Sequence, residues 1–313
     1  MNARELMQVI DNLKVDSSEF TVLSSGGLTI RGILKEAHDL DIAVTKKGLE
    51  QLIENYDIRP KEGNPGWYIV SDIIEAVDDS MDGKKERFGR IYIQDIYNYR
   101  DYLEGSKREK DKLRIPLVDA YIKKRELVKK YDKLETDRLI LRKACLEDLD
   151  DIYNNVWSDP KLAENMLWRP NTDIESARDR LYRNIPFQKD NFTYFVCLKE
   201  TDEVIGFAGV QEFRPHVFED YGICLAQKYQ GMGLASEFME ALKKLVFEEL
   251  GGEEFYYTCF SHNTKSSTLC KRCGFTYIGS EPRVREYDGM NYILDKYIMN
   301  KEMYKNNKNI KKK

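Results

Sequence analysis

The chain has no cysteine before Cys145 and only three histidines among its 313 residues. All six cysteines fall at or after Cys145, most of them inside apolar strand or helix patterns. Cys270-x-x-Cys273 is the one close pair. A zinc site would need a second pair of ligands, and the nearest candidate, His262, has no partner. A redox pair would sit at a helix N-terminus after a strand, whereas this one lies within a helical stretch. Reduced core cysteines and a cytoplasmic protein are the expectation. Nor is there an apolar run near the ~18 residues of a membrane span, and Met1 leads into a polar amphipathic segment rather than a signal peptide. Positive charge is not in excess, with 50 Lys and Arg against 54 Asp and Glu and a net charge of −4. The chain as a whole therefore carries no nucleic-acid footprint. The lysine-rich stretch Lys305 to Lys313 is the exception and reads as a solvated, disordered tail. No internal repeat is present, and the length suits two domains of ordinary size.

Against these absences stands Gln230-Gly231-Met232-Gly233-Leu234-Ala235. It follows an apolar run, Tyr221 to Leu225, that reads as a strand, and it opens a helix expected over 235–250. Closely spaced glycines between a strand and a helix let the backbone approach a ligand. The unpaired N–H groups of the first turn, and the helix dipole, then favour a phosphate. Further on come Asn263-x-x-Ser266 and Gly274-Phe275, with Asn263 expected to cap a helix and Gly274 to stop it.

The pattern of Gln230, Gly233 and Ala235 followed by Asn263, Ser266, Gly274 and Phe275 resembles the GNAT N-acetyltransferases. Thr136-Asp137-Arg138-Leu139-Ile140-Leu141-Arg142 is similar to the first strand of the branch that acetylates ribosomal-protein N-termini. The resemblance covers roughly Leu134 to Tyr304 and implies an acetyl-CoA site without metal. Gln230, Gly231, Met232, Gly233, Leu234 and Ala235 would hold the pyrophosphate, with Asn263 and Ser266 beside them. Ile223, Cys224 and Leu225 would pair with the pantetheine arm and polarise the thioester carbonyl through backbone N–H groups. An amine would attack the thioester directly, which calls for a base and an acid. The resemblance puts Asp220 first as base, with Glu212, Glu219 and His216 as rivals. Where many members carry a tyrosine seven residues after the asparagine, this chain has Cys270, a poor donor. The acid role is left to Ser266 or to solvent. Trp168, Arg169 and Tyr182 are candidates for an acceptor pocket, with packing as the plainer reading.

In the first half, Phe20 to Leu23 reads as a strand, Ser24-Ser25-Gly26-Gly27 as a turn, and 28–34 as a short helix. Asp39-Leu40-Asp41 opens the next strand, whose period of two puts both carboxylates on one face. Two adjacent carboxylates call for a cation, and magnesium suits oxygen ligands. This half resembles the minimal nucleotidyltransferases. The likeness implies that Ser25, Gly26 and Gly27 hold nucleotide phosphates, and that Asp39, Asp41 and Glu75 hold magnesium for a nucleoside triphosphate. Asp72 is the alternative third ligand, and His38 could orient a carboxylate. A single charged helix is expected over 96–113. Its run Lys107-Arg108-Glu109-Lys110-Asp111 reads as a solvated face, with Lys107 or Lys110 the candidates to meet phosphates. Pro116 ends that helix.

The expected fold class is α/β (α+β). Residues 1–132 form a small nucleotidyltransferase-like domain, 133–304 a GNAT mixed sheet flanked by helices, and 305–313 the tail. The expected activity is acetyl transfer from acetyl-CoA to a small-molecule or peptide amine. A bifunctional enzyme with magnesium-dependent nucleotidyl transfer, and a non-catalytic nucleotide- or CoA-binding module, are the alternatives. The oligomeric state is left open.

Overall fold

The computed structural model describes residues 1–311; Lys312 and Lys313 lie outside the described residues. Two compact units divide between Leu127 and Val128, ahead of the boundary read from the sequence. The reason is local: Val128 is fully buried in the second unit's core beside Leu139 and Leu141, and Tyr194 donates its hydroxyl to the carbonyl of Tyr131 at 2.8 Å.

The first unit begins with α1 (Ala3–Asp11), β1 (Phe20–Val22), α2 (Ser24–Ile30) and β2 (Leu40–Val44). Then come α3 (Lys46–Asn55), β3 (Arg59–Pro60), β4 (Trp67–Ser71) and β5 (Ile74–Asp78). It continues with β6 (Lys85–Phe88), β7 (Ile91–Gln94), α4 (Ile96–Gly105), α5 (Glu109–Lys112) and most of α6 (Ile115–Lys130). The strands form one mixed sheet in the order β3-β4-β5-β2-β1-β7-β6. The pairs β2–β5 and β1–β7 are parallel and the others antiparallel. Leu6, Ile10, Phe20, Val22, Leu40, Ile42 and Leu52 are among the apolar side chains that close its core.

Two expectations for this unit are corrected. The stretch Ser24 to Gly27 is not a turn ahead of the helix but the first turn of α2 itself. A Cβ at Gly26 would come within 2.9 Å of the Val22 side chain, so a glycine lets the helix lie against β1. The single helix expected over 96–113 is broken at Ser106, where Asp111 folds inward. Fully buried, Asp111 accepts from the Ser106 hydroxyl and from Arg108 Nε, both at 2.6 Å. The charged run is therefore only partly a solvated face. Pro116 sits in the first turn of α6, where its missing N–H costs nothing.

The second unit opens with β8 (Lys133–Glu135), β9 (Leu139–Arg142), α7 (Leu149–Ile152), α8 (Pro160–Ala163) and α9 (Ile174–Lys189). Next come β10 (Thr193–Leu198), β11 (Val204–Arg214), β12 (Val217–Leu225), α10 (Leu234–Lys244) and β13 (Glu254–Phe260). The last elements are α11 (Thr264–Arg272), β14 (Thr276–Val284), β15 (Asn291–Asn300) and α12 (Lys301–Lys311). The sheet order is β14-β15-β13-β12-β11-β10-β9-β8. Every pair is antiparallel except β12 with β13, which pair only from Val217–Glu254 to Glu219–Tyr256. Beyond Glu219 these two strands separate. The described part of the lysine-rich tail is not disordered. It is α12, tied down because Tyr304 stacks on Phe247 with ring centroids 4.9 Å apart and donates its hydroxyl to Glu248 at 2.6 Å. Lys308 pairs with the same Glu248 carboxylate.

Candidate active site

The separation of β12 and β13 has a local cause. On β11, Ala208 and Val210 are two positions apart, but their partners on β12, Ile223 and Asp220, are three apart. The extra residue is a β-bulge at Gly222, whose φ of 76° is left-handed, and a bulge of this kind bends its strand. Asp220 lies on one side of the bend and Ile223 on the other. Two cavities meet at this point. One, of about 1030 Å³, takes Ile223, Cys224, Leu225, Gln230, Gly231, Gly233, Ala235, Asn263 and Ser266 into its lining. The other, of about 560 Å³, is lined by Asp220 and Glu219 and by several aromatic side chains. Ile223, Tyr257, Asn263 and Ser266 belong to both.

The larger cavity is chemically suited to an anion. Gly231 and Gly233 have φ of 81° and 80°, and Gly233, the residue before α10, has no side chain to cap the helix. The start of α10 thus lacks a side-chain cap, a place where backbone N–H groups can meet a ligand. Gln230 holds the approach, donating to the Leu225 carbonyl and accepting from Lys265 Nζ, both at 2.9 Å. Lys161, Lys265 and Arg272 add positive charge to the lining. None of these three was picked out in the sequence, and only the arrival of α8 and α11 at one groove reveals them. Two residues expected here do not line it. Leu234 is buried in the core, while Met232 is largely exposed and offers its carbonyl to Arg138.

In the smaller cavity the carboxylate of Asp220 accepts from the Thr258 N–H at 2.7 Å and from the Thr258 hydroxyl at 3.2 Å. Burial pushes its pKa up to about 6, against the opposing pull of the Thr258 donors. Glu219 accepts from Gln211 at 2.5 Å. Glu212 and His216 lie elsewhere: exposed near the end of β11, Glu212 accepts the His216 N–H at 2.7 Å, and neither lines either of these two cavities. Of Trp168, Arg169 and Tyr182, only Trp168 lines the smaller cavity.

A tyrosine occupies the junction of the two cavities. Tyr257, on β13, has its hydroxyl 2.8 Å from Ser266 Oγ. Burial first, and the charge of Asp220 second, hold its phenol well above the ordinary range, so it stays protonated. Asn263 caps α11 by accepting the Ser266 N–H at 3.1 Å, which fixes Ser266. Tyr257 comes before Asn263 in sequence and on a different element, so the asparagine spacing gave no signal for it. Cys270 and Cys273 are buried in the core, and all six cysteines are free.

In the first unit, Asp41 and Glu75 are register partners on β2 and β5. Asp41 is pushed up to about 6 by burial and by the charges of Asp39 and Glu75; Lys61 and a Ser24 hydrogen bond oppose this. The three carboxylates are thus neighbours beside the start of α2. Ser25, Gly26 and Gly27 are buried in α2, while His38, Asp72, Lys107 and Lys110 are exposed. Glu75 is ion-paired with Lys61. Among the described residues no set of three His, Cys, Asp or Glu side chains converges to hold a metal ion. The Lys61 ammonium is thus the counter-ion of one of the three carboxylates, Glu75.

Two cavities meeting at a splayed strand pair, one suited to an anionic carrier and one holding a desolvated carboxylate and a phenol, define a group-transferring enzyme. Residues 138–276 match the model of the "Acetyltransferase (GNAT) domain". The chain is 30% identical over 171 residues to the uncharacterised N-acetyltransferase p20 of Bacillus licheniformis, covering 53% of this chain and 94% of that one. The chain belongs to the GNAT acetyltransferase family. Its fold is shared with a GCN5-related N-acetyltransferase from Brucella melitensis (TM-score 0.51, 16% identity, 55% of this chain and 80% of that one). A GNAT-family acetyltransferase from Chromobacterium violaceum is comparable (TM-score 0.50, 20% identity, 56% and 88%). No described helix is long and apolar enough to cross a membrane.

Proposed function

We propose that the second unit transfers the acetyl group of acetyl-CoA to an amine by direct attack. The observation that carries this reading is the junction of the two cavities at Ile223, Tyr257 and Ser266. The larger cavity receives acetyl-CoA, its pyrophosphate against Gln230, Gly231, Gly233 and the N-terminus of α10, among Lys161, Lys265 and Arg272. The smaller cavity receives the amine. Asp220, with its pKa near 6, is ionised at neutral pH and takes the ammonium proton. Tyr257, bonded to Ser266, donates a proton toward the departing thiolate. The six free cysteines support a cytoplasmic setting.

Unfolding with and without acetyl-CoA tests the cofactor site. At 100 times its dissociation constant the ligand should add roughly 2.7 kcal/mol to the unit that binds it. Gly233→Val, which forces a branched side chain into a φ of 80°, should abolish the shift. No shift at millimolar acetyl-CoA would overturn the reading. Tyr257→Phe should lower kcat on the order of 10²-fold, the scale of a general acid, with little change in KM for acetyl-CoA. An unchanged kcat would return the acid role to Ser266 or solvent.

For the first unit we propose a nucleotidyltransferase-like module. The support is the placement of Asp41 and Glu75 on adjacent strands, with Asp39 just ahead of β2.

A further inference from the structure

The lining of the smaller cavity contains a cation that the acetyl-transfer chemistry does not use. The Arg180 guanidinium, on α9, lies 4.5 Å from the ring centroid of Trp157 and 4.7 Å from that of Trp168. With two indoles against it, its in-plane N–H groups are what it has left to offer. It donates to Asn171 Oδ1 at 3.2 Å and forms no ion pair among the described residues. A guanidinium has five N–H donors, and its fork geometry matches carboxylate and phosphate oxygens. Burial lowers its pKa to about 10, and Arg183, one helical turn on, adds repulsion rather than relief.

The surrounding donors are unmatched in the same sense. The indole N–H groups of Trp157 and Trp168 and the hydroxyl of Thr193 are buried without a hydrogen-bond partner, and all three residues line this cavity with Arg180. Buried donors in proteins are nearly always satisfied, and each one left alone costs free energy. Here an unpaired cation and two orphan N–H groups share one cavity. The acceptor missing at the Arg180 fork is what a ligand anion would supply.

We propose that the acceptor is an amine that also carries an anion, a carboxylate or a phosphate, received by the Arg180 guanidinium that Trp157 and Trp168 hold between them. The proposal rests on the smaller cavity being the acceptor site. Asp220 and Glu219 line the same cavity, so it offers a carboxylate to the ammonium group and a guanidinium to the anion.

The test uses matched amines in an assay for CoA release by the full chain. L-Phenylalanine is compared with phenethylamine for the carboxylate, and O-phosphoethanolamine with ethanolamine for the phosphate. The anionic member of at least one pair should have the higher kcat/KM. Arg180→Gln should cut that preference by about 10- to 100-fold, the range for hydrogen bonds to charged groups, mainly through KM. Arg180→Lys should fall between the two, because it keeps the charge and loses the fork. A thermal shift with acetyl-CoA in each variant reports that the unit is folded. Turnover without preference for the anion, or a preference that survives Arg180→Gln, overturns the proposal. Binding is read separately from the fluorescence of Trp157 and Trp168, with N-acetyl-L-phenylalanine against N-acetylphenethylamine. Anion-dependent quenching without CoA release from any amine would uphold the anion site and sink acetyl transfer. Neither quenching nor CoA release would sink both.

Discussion

Asp220→Asn should reduce kcat/KM for amine acetylation by about 10²- to 10⁴-fold, the contribution of a positioned general base. The same substitution should make the second unit more stable at neutral pH. The two effects share one origin. Asp220 sits where burial raises its pKa from 3.8 to about 6. A group whose folded pKa is raised contributes stability that is fully present below its unfolded pKa and is lost as pH rises through the folded value. At pH 7 that stability is gone, leaving a desolvated carboxylate held by the two donors of Thr258. Asparagine keeps an oxygen for those donors and removes the charge. The gain should be on the order of 2 kcal/mol, visible as a higher melting temperature above pH 6. The activity profile fixes the sign of the catalytic role. Wild-type kcat/KM should rise tenfold per pH unit below about 6 and level off above it, as Asp220 ionises. The variant should lose that limb. If Asp220→Asn keeps both the limb and most of the rate, the base is another group, and Glu219, in the same cavity, is next.

What could be read from the chain alone, and what could not, follows from how local each signal is. Gln230, Gly233, Ala235, Asn263 and Ser266 lie at or just before the starts of two helices. Their spacing along the chain is the spacing of the site, and all five line one cavity. Tyr257 and Arg180 reach the site from β13 and α9 and carry no pattern of their own. Only the tertiary fold brings them into one cavity with Asp220. The same limit explains the errors in the fold. Two glycines in a row read as a turn, but a close approach to Val22 makes Gly26 a helical residue. A charged run reads as solvated, but Asp111 is buried because Ser106 and Arg108 fold with it. A lysine-rich end reads as disordered, but Tyr304 and Lys308 find Glu248 on a distant element. In each case a tertiary contact outweighs local composition.

Glu86→Gln should destabilise the first unit by about 3–5 kcal/mol, the cost of removing one partner from a buried ion pair. Glu86 is the shared anion of Arg31 and Arg125. The Arg31 side chain is only 2% exposed, so loss of the carboxylate strands a buried cation. Arg31 also donates to the Gln94 carbonyl at 2.7 Å and to the Gly27 carbonyl at 3.4 Å, while the Gln94 side chain accepts the Ser24 N–H at 3.5 Å. The carboxylate therefore braces both ends of the stretch that carries Ser25, Gly26 and Gly27. Burial alone would raise the pKa of Glu86, but the hydrogen bond from Arg125 and the charges of Arg31 and Arg125 outweigh it and hold it at about 2. A depressed folded pKa contributes stability that is present above the unfolded value of 4.5 and is lost as pH falls through the folded one. The wild-type stability of this unit should thus fall steeply between pH 4.5 and 2, by on the order of 3 kcal/mol from this group. Calorimetry on the full chain separates the units, because acetyl-CoA should move only the second unit's transition. Glu86→Gln should lower the other transition and flatten its dependence on acid. A variant that melts like the wild type at pH 7 would mean that solvent, not Glu86, compensates Arg31, and that α2 is held by its packing on Val22 alone.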